Sequence, residues 1–468
     1  MPTAAQRFAE WATGLDFDNI PVDVCEQAKL LLLDMLGCGL AAHALGVATE
    51  GRSAMGEFGG EPQATVIGSQ KRMPTANAAF ANAMLCHGLD FDDTHSESVS
   101  HISVIVCPAA VAAAEAAGAA GRELLTAVVA GNEIMARVGM SASGAFHTRG
   151  FHPTPICGIV GATAAASRLS GVDEATAASA LGIAGSFASG ILAYLADGTA
   201  TKPIHPAWAA HGAVLASRLA RHGAAGPPSV LEGRFGLYHA FLNEQEVDIE
   251  QQIADLGSRW ETPRIAYKPY PACHLMHGSL GATAEATAGR RFCAEEIEEV
   301  VVTVPAAVVP SVLEPARHKL APRTAYEAKF SLQYSTAAML VHGQIGIATY
   351  TDEAIVDPHV LELAKRVRYE TPEFPTYPQA FPGGVRIRTK AGETLEANAP
   401  YQRGSPQNPM TEAEVRTKFR ANATLALRDG ALDALEDAVL TLDEQPNLTA
   451  ALAPLTLKQP ARLSSPST

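Results

Sequence analysis

The sequence predicts a mainly α protein: a large all-helical domain built from both chain ends, with a smaller α+β domain inserted between them. Three observations predict it. From about Pro21 to Leu242 the apolar residues recur in segments of helical length. Near Tyr267 the texture changes to β-branched and alternating runs, and from Thr411 helical patterning resumes. The length, 468 residues, exceeds the usual single-domain size. Residues 1–266 and 410–458 are assigned to the helical domain and 267–409 to the α+β domain. The polar, Pro- and Ser-rich end, 459–468, reads as a disordered tail.

The elements follow in order. Val24 to Leu40 carries a leucine-rich helical pattern, with Cys38 and Gly39 suggesting a close helix contact. Pro74 to Leu85, Pro108 to Ala120, Glu123 to Met140, Gly158 to Leu169, Glu174 to Ile183, Pro206 to His222 and Val230 to Leu242 each have helical length. Several open with Pro or an acid in the first turn. Their faces are mostly Ala, Gly and Ser, which suits helices buried on several sides and a subunit interface. Ile297 to Val304 reads as a strand. Val385 to Ala397 alternates on either side of Lys390-Ala391-Gly392, a hairpin signal. Helices are expected at Ala325 to His342, Asp357 to Lys365, Thr411 to Phe419 and Leu432 to Leu442.

Composition narrows the function. A net charge of −14, with no Lys/Arg run longer than two, argues against nucleic-acid binding. The seven cysteines are odd in number and none shows CxxC spacing, which argues against a disulfide framework, a zinc site or an iron–sulfur cluster. The start of the chain lacks a basic-then-apolar pattern, and Glu115, Asn132 and Glu133 interrupt the apolar runs. A cytoplasmic protein with no membrane partner is expected. GxGxxG after a strand, GxxxxGK[ST] and GxSxG are all missing, so nucleotide cofactors are not expected.

Three segments hold the acid/base residues. The first runs from His87-Gly88-Leu89-Asp90-Phe91-Asp92-Asp93-Thr94-His95 to His101, directly after the Ala-rich helix. Such groups at the end of a buried helix are costly to desolvate unless paired or used. One reading is a solvated loop in which Asp92 or Asp93 caps a turn and His95 is exposed. A second is a metal site using Asp90, Asp92, Asp93 and His95. A third is a metal-free acid/base site in which Asp90 orients or activates an imidazole. The second segment, Thr201 to His211, sets Lys202 and His205 ahead of a helix opened by Pro206, a plausible carboxylate cradle; a solvated Lys202 and a packed His211 are the simpler reading. The third, Tyr267 to Gly278, has Lys268 before His274 and His277, three apart on one helix face. It lies where the texture changes, so a domain-interface cleft is expected there.

Together the segments resemble the MmgE/PrpD family. The resemblance rests on Asn82 to Thr94, Lys202-Pro203-Ile204-His205-Pro206 and Lys268 to His274, then Phe330-Ser331-Leu332-Gln333-Tyr334 and Asn408-Pro409-Met410-Thr411. It spans nearly the whole chain. It implies that the inserted domain is a lid, that the protein is a homodimer, and that catalysis needs neither metal nor organic cofactor. It implies a polycarboxylate substrate and puts Asp90, Thr94, His101, Lys202 and Lys268 in the site, with His277 and Tyr334 as further substrate-binding candidates. On this reading Lys202 and Lys268 neutralise carboxylates, Thr94 binds one, and His101 is general acid or base with Asp90 fixing its tautomer. Dehydration of a 2-methylcitrate-like hydroxy acid is the first expectation. A cis-aconitate-type decarboxylase and an iminodisuccinate-type epimerase are the alternatives. A metal-dependent hydrolase and a non-catalytic carboxylate-binding protein are the rivals from other classes.

Overall fold

The computed structural model describes residues 2–243 and 247–457; the tail expected at 459–468 lies outside them. The fold is mainly α. The longer helices of the first core are α1 (Ala4–Gly14), α2 (Val22–Ala44), α3 (Thr75–His87), α4 (Ser103–Ala117), α5 (Gly121–Met140), α6 (Pro153–Leu169), α7 (Glu174–Ala184) and α8 (Ile204–Arg221). The α4 helix is buried throughout from Ser103 to Glu115 and is packed by α3, α5, α6 and α8. Small side chains permit this. A Cβ on Gly161 would collide with the Gly131 carbonyl where α5 and α6 cross.

A second core takes in Tyr194 and the segment from Ala272 onward, and is assembled around a four-stranded sheet. Here α9 (His277–Thr287) and α10 (Leu332–His342) accompany β3 (Ile297–Thr303), β4 (Val367–Glu370), β5 (Gly383–Thr389) and β6 (Thr394–Ala399). The strand order is β4-β3-β5-β6. The β3 and β4 strands run parallel, and the other pairs are antiparallel, with Val300 opposite Ile387 and Val302 opposite Val385. Those four side chains are buried, the period-two pattern of a half-covered sheet. The expected hairpin is present, and Gly392 takes φ +85° at its turn.

The chain then returns to the first core through α11 (Glu412–Ala423) and α12 (Asp429–Leu440). The α11 helix packs on α2, with Phe419 against Gly37. Its Lys418 pairs with buried Asp34 at 2.8 Å and donates to the Phe91 carbonyl at 2.7 Å. The returning helix thereby grips the loop that carries the acid/base residues.

Three helix expectations need correction. The Val230 to Leu242 segment is helical only over Leu237–Leu242. Gly233 and Gly236 sit in turns there, and the Leu237 N–H closes back on the Val230 carbonyl. The helix expected from Pro108 starts at Ser103, because the Asp93 carboxylate accepts the N–H groups of Ile102 and Ser103. The helix expected over Ala325 to His342 breaks, and Ser331 caps the second piece. Among the described residues no helix is long and apolar enough to cross a membrane.

Candidate active site

The stretch after α3 is a buried loop, against the solvated reading. Asp90, Asp92, Asp93 and His95 are all at most 1% exposed. His95 meets Glu261 at 3.2 Å. The strand pair β1 (Thr94–His95) and β2 (Ile265–Ala266) ties the loop to the segment entering the second core. Burying three carboxylates is affordable only with partners, and each has its own.

Asp90 sits in the left-handed region at φ +52°. Its two carboxylate oxygens accept from two ammonium groups, Lys202 at 2.9 Å and Lys268 at 2.5 Å. Lys268 also donates to the Asp90 carbonyl at 2.9 Å, clamping the unusual backbone. Burial alone would push the Asp90 carboxyl up; Lys202 and Lys268 overcome that and hold it well below the usual range. Burial works against the Lys268 ammonium, yet Asp90 and Asp92 raise its pKa above the ordinary lysine value.

Asp92 serves two imidazoles. Its carboxylate lies 2.8 Å from His87 Nδ1 and 3.1 Å from His101 Nδ1. His101 Nδ1 also lies 2.8 Å from the Asp93 carbonyl. The Thr94 hydroxyl, 3.4 Å away, can accept as well; facing a carboxylate and a carbonyl that can only accept, Nδ1 must carry the proton. Nε2 is left with its lone pair toward Lys202 Nζ, 3.2 Å away. Burial first, then Lys202, pushes the His101 pKa down to about 3, so the ring is neutral near pH 7. The carboxylate that fixes the His101 tautomer is therefore Asp92, not Asp90; both oxygens of Asp90 are taken by lysines. Asp93 caps α4, and burial followed by the Asp92 charge raises it to about 7.

A cavity opens on this network at the seam of the two cores. Thr94, His101 and Lys202 line it from the first core, and Cys273, His274 and Phe330 from the second. Lys202 Nζ stands 5.3 Å over the Phe330 ring. Asp90, the counterion of Lys202, and Lys268, the second cation on Asp90, are not on the wall. His152, which sequence reasoning passed over, also lines the cavity, and its Nδ1 lies 3.1 Å from Nδ1 of His205. The available signal was a histidine next to Pro153 at the first turn of a helix, the same pattern that drew notice to Lys202 and His205.

The structure does not bring His277 or Tyr334 to the cavity. A short turn over His274–Met276 presents His274 instead, while His277 opens α9 and donates Nε2–H to the Ala272 carbonyl at 3.1 Å. Tyr334 points into the second core and donates to the Thr349 carbonyl at 2.8 Å. Donor atoms of His87, Asp90 and Asp92, and of His87, His101 and His152, converge within 4.8 Å. A cation there would meet the Lys202 and Lys268 ammonium groups, so the charge pattern suits an anionic guest. Of the other residues of the metal reading, His95 is turned to Glu261 and Asp93 accepts the N–H groups that open α4.

Sequence comparison identifies the family. The MmgE/PrpD N-terminal domain matches residues 6–250 and the MmgE/PrpD C-terminal domain residues 270–444. The chain is 28% identical to the cis-aconitate decarboxylase-like protein oryM of Aspergillus oryzae over 95% of each sequence. It is 29% identical to the cis-aconitate decarboxylase of Mus musculus, over 95% of this chain and 91% of that one. It is also 29% identical to the cis-aconitate decarboxylase of Homo sapiens, over 95% and 92%.

Proposed function

The chain belongs to the MmgE/PrpD family, and from that membership we propose that it is a carboxy-lyase releasing CO₂ from cis-aconitate or a closely similar tricarboxylate. The observation that carries the reading is the Lys202–Asp90–Lys268 cluster beside a neutral His101 at the cavity wall. The relatives named as cis-aconitate decarboxylases favour this alternative over the dehydration placed first on sequence grounds.

The chemistry needs three things from the protein. The bond from carbon to one carboxyl group breaks and CO₂ leaves. The electron pair left on carbon delocalises into a neighbouring carboxylate, and that growing charge must be held. Lys202, at the wall, is placed to hold it, and Lys268 and Asp90 keep the ammonium fixed. A proton must then reach the carbon. His101 Nε2 carries a lone pair and suits an acceptor, turned toward Lys202. His152 lines the same cavity, and with Nδ1 engaged by His205 its Nε2 is the nitrogen free to face a guest. We assign His152 to proton delivery and His101 to orienting Lys202 and the substrate. Thr94, 3.4 Å from His101, is assigned to a substrate carboxylate. The roles of His277 and Tyr334 become indirect, through His274 and the second core.

The test is incubation with cis-aconitate, 2-methylcitrate and iminodisuccinate in D₂O, followed by proton NMR and CO₂ trapping. CO₂ release with one deuterium per product molecule is expected from cis-aconitate. Water loss from the hydroxy acid without CO₂ release from cis-aconitate would overturn the reading and make His101 the base of a dehydratase.

A further inference from the structure

We infer that Lys319 and Lys329, two ammonium groups buried behind the second-core wall, give the cavity a second cationic pole and set its preference for a ligand with three carboxylates over one with two. The inference deepens the polycarboxylate reading of the cavity and rests on it.

Six lysines are buried among the described residues. Four are ion-paired: Lys29 with Glu26 and Asp443, Lys418 with Asp34, and Lys202 and Lys268 with Asp90. Lys319 and Lys329, 3% and 4% exposed, meet no carboxylate among the described residues. An ammonium taken from water without a counterion is costly. Backbone carbonyls solvate both groups instead. They satisfy the N–H donors and leave the full positive charge standing.

Those carbonyls belong to the site. Lys319 Nζ donates to the Ser311 and Phe330 carbonyls, each at 2.8 Å, and both residues line the cavity. Lys329 Nζ donates to the Leu89 carbonyl at 2.9 Å, in the peptide that enters Asp90, and to the Pro271 carbonyl at 3.0 Å. The Lys329 carbonyl accepts the Cys273 N–H at 2.9 Å, and Cys273 lines the cavity. The lining itself holds one cation, Lys202, which belongs to the first core. From Cys273 onward the lining residues are His274, Leu275, Ser311, Phe330 and Phe381. Burial holds the His274 ring neutral. Positive potential on that side of the seam therefore comes from the two ammonium groups behind it.

The same groups answer to charge in the cavity. Burial pushes the Lys329 pKa down to about 7; Asp90 opposes this, and Lys268 and Lys202 add to it. The Tyr350 ring lies 4.8 Å from Lys329 Nζ, its hydroxyl kept neutral by burial. Burial pushes Lys319 down to about 8 against the pull of Cys273 and Glu327. A polyanion in the cavity favours the charged form of both, so its binding draws in protons. At an effective dielectric of about 20, unit charges about 10 Å apart interact by about tenfold in binding.

The experiment is isothermal titration calorimetry of the full-length protein at pH 7. The probes share one carbon skeleton: propane-1,2,3-tricarboxylate and propane-1,3-dicarboxylate. Wild type is compared with Lys319→Met, Lys329→Met, Lys329→Gln, which keeps a donor without the charge, and Lys390→Met, an exposed control. The preference for the tricarboxylate should fall about five- to tenfold in the first three variants and hold in the control. Wild type titrated at pH 8 in buffers of different ionisation enthalpy should take up between about half and one proton with the tricarboxylate. A purely structural role would weaken both probes alike, so a wild-type preference in Lys329→Gln overturns the proposal. A wild type that binds both probes equally overturns it too. Should the variants fail to fold, the wild type decides, and no proton uptake at pH 8 overturns the proposal. Turnover of cis-aconitate is read on the same samples. A wild type that prefers the tricarboxylate but releases no CO₂ removes the decarboxylase reading and leaves the cationic pole standing. CO₂ release with an unchanged preference in the variants removes the pole alone.

Discussion

Lys268→Met tests the balance of charge beneath the cavity. Asp90 and Lys268 are both fully buried, and Lys268 makes two hydrogen bonds to Asp90, one to its carboxylate and one to its carbonyl. Methionine keeps the volume and removes the charge. Asp90 is then left with Lys202 alone and an oxygen facing no cation. Breaking a buried pair from one side costs about 3–5 kcal/mol. At about 2.1 cal/mol/K per residue, 468 residues give an unfolding entropy of about 1 kcal/mol/K, so the melting temperature should fall by about 3–5 °C at pH 7. The pH dependence has a definite sign. In the wild type the Asp90 pKa is depressed, so its stabilisation is present above the unfolded value and lost as pH falls toward the folded one. Without Lys268 that pKa rises, protonation relieves the unpaired charge sooner, and the gap to wild type should narrow between pH 7 and pH 5. Differential scanning calorimetry of wild type, Lys268→Met and Lys268→Met/Asp90→Asn measures this. The double variant exchanges one unpaired charge for another, because Lys202 loses Asp90, so it should recover little of the loss. A Lys268→Met protein melting within about 1 °C of wild type at pH 7, or a double variant that regains wild-type stability, would refute the reasoning.

Lys202→Met should lower kcat/KM for cis-aconitate by about 10²–10³-fold, the scale of losing one preorganised cation at the reacting centre, as read from steady-state kinetics. His101→Ala should cost about 10²–10⁴-fold in kcat, and a near wild-type rate would remove it from the site. Asp93→Asn keeps an oxygen for the Ile102 and Ser103 N–H groups. Because the Asp93 pKa is raised to about 7, its burial costs stability as pH rises from about 4 to about 7, up to about 4 kcal/mol, so the variant should melt above wild type at pH 8. Turnover should survive prolonged chelator treatment; its loss, with recovery on adding a divalent ion, would revive the metal-dependent hydrolase.

Much of the site was legible because charged residues are scarce. Asp90, Lys202 and Lys268 stand in three separated clusters, and the folded chain joins them as a two-cation, one-anion group. Pairing within a cluster was not legible. Asp90 and Asp92 differ by two positions, yet one faces the lysines and the other the imidazoles, and Asp90 itself sits in the left-handed backbone region. His277 was favoured by its spacing from His274, yet a turn before α9 places His274 on the cavity. Tyr334 belongs to a motif that packs a core. His152 stood alone in the sequence and drew no notice; its partner lies 53 positions away. The Val230 segment shows the same limit at the level of the fold, where apolar spacing promised a helix that two glycines broke.

Asp90 and its second cation are 178 positions apart. During synthesis the acidic loop therefore leaves the ribosome well before the residue that supplies its second cation. Anyone swapping the sheet-bearing half between relatives inherits this debt. A junction placed after Lys268 keeps Asp90 and Lys268 from one parent, whereas a cut upstream of Tyr267 draws them from two.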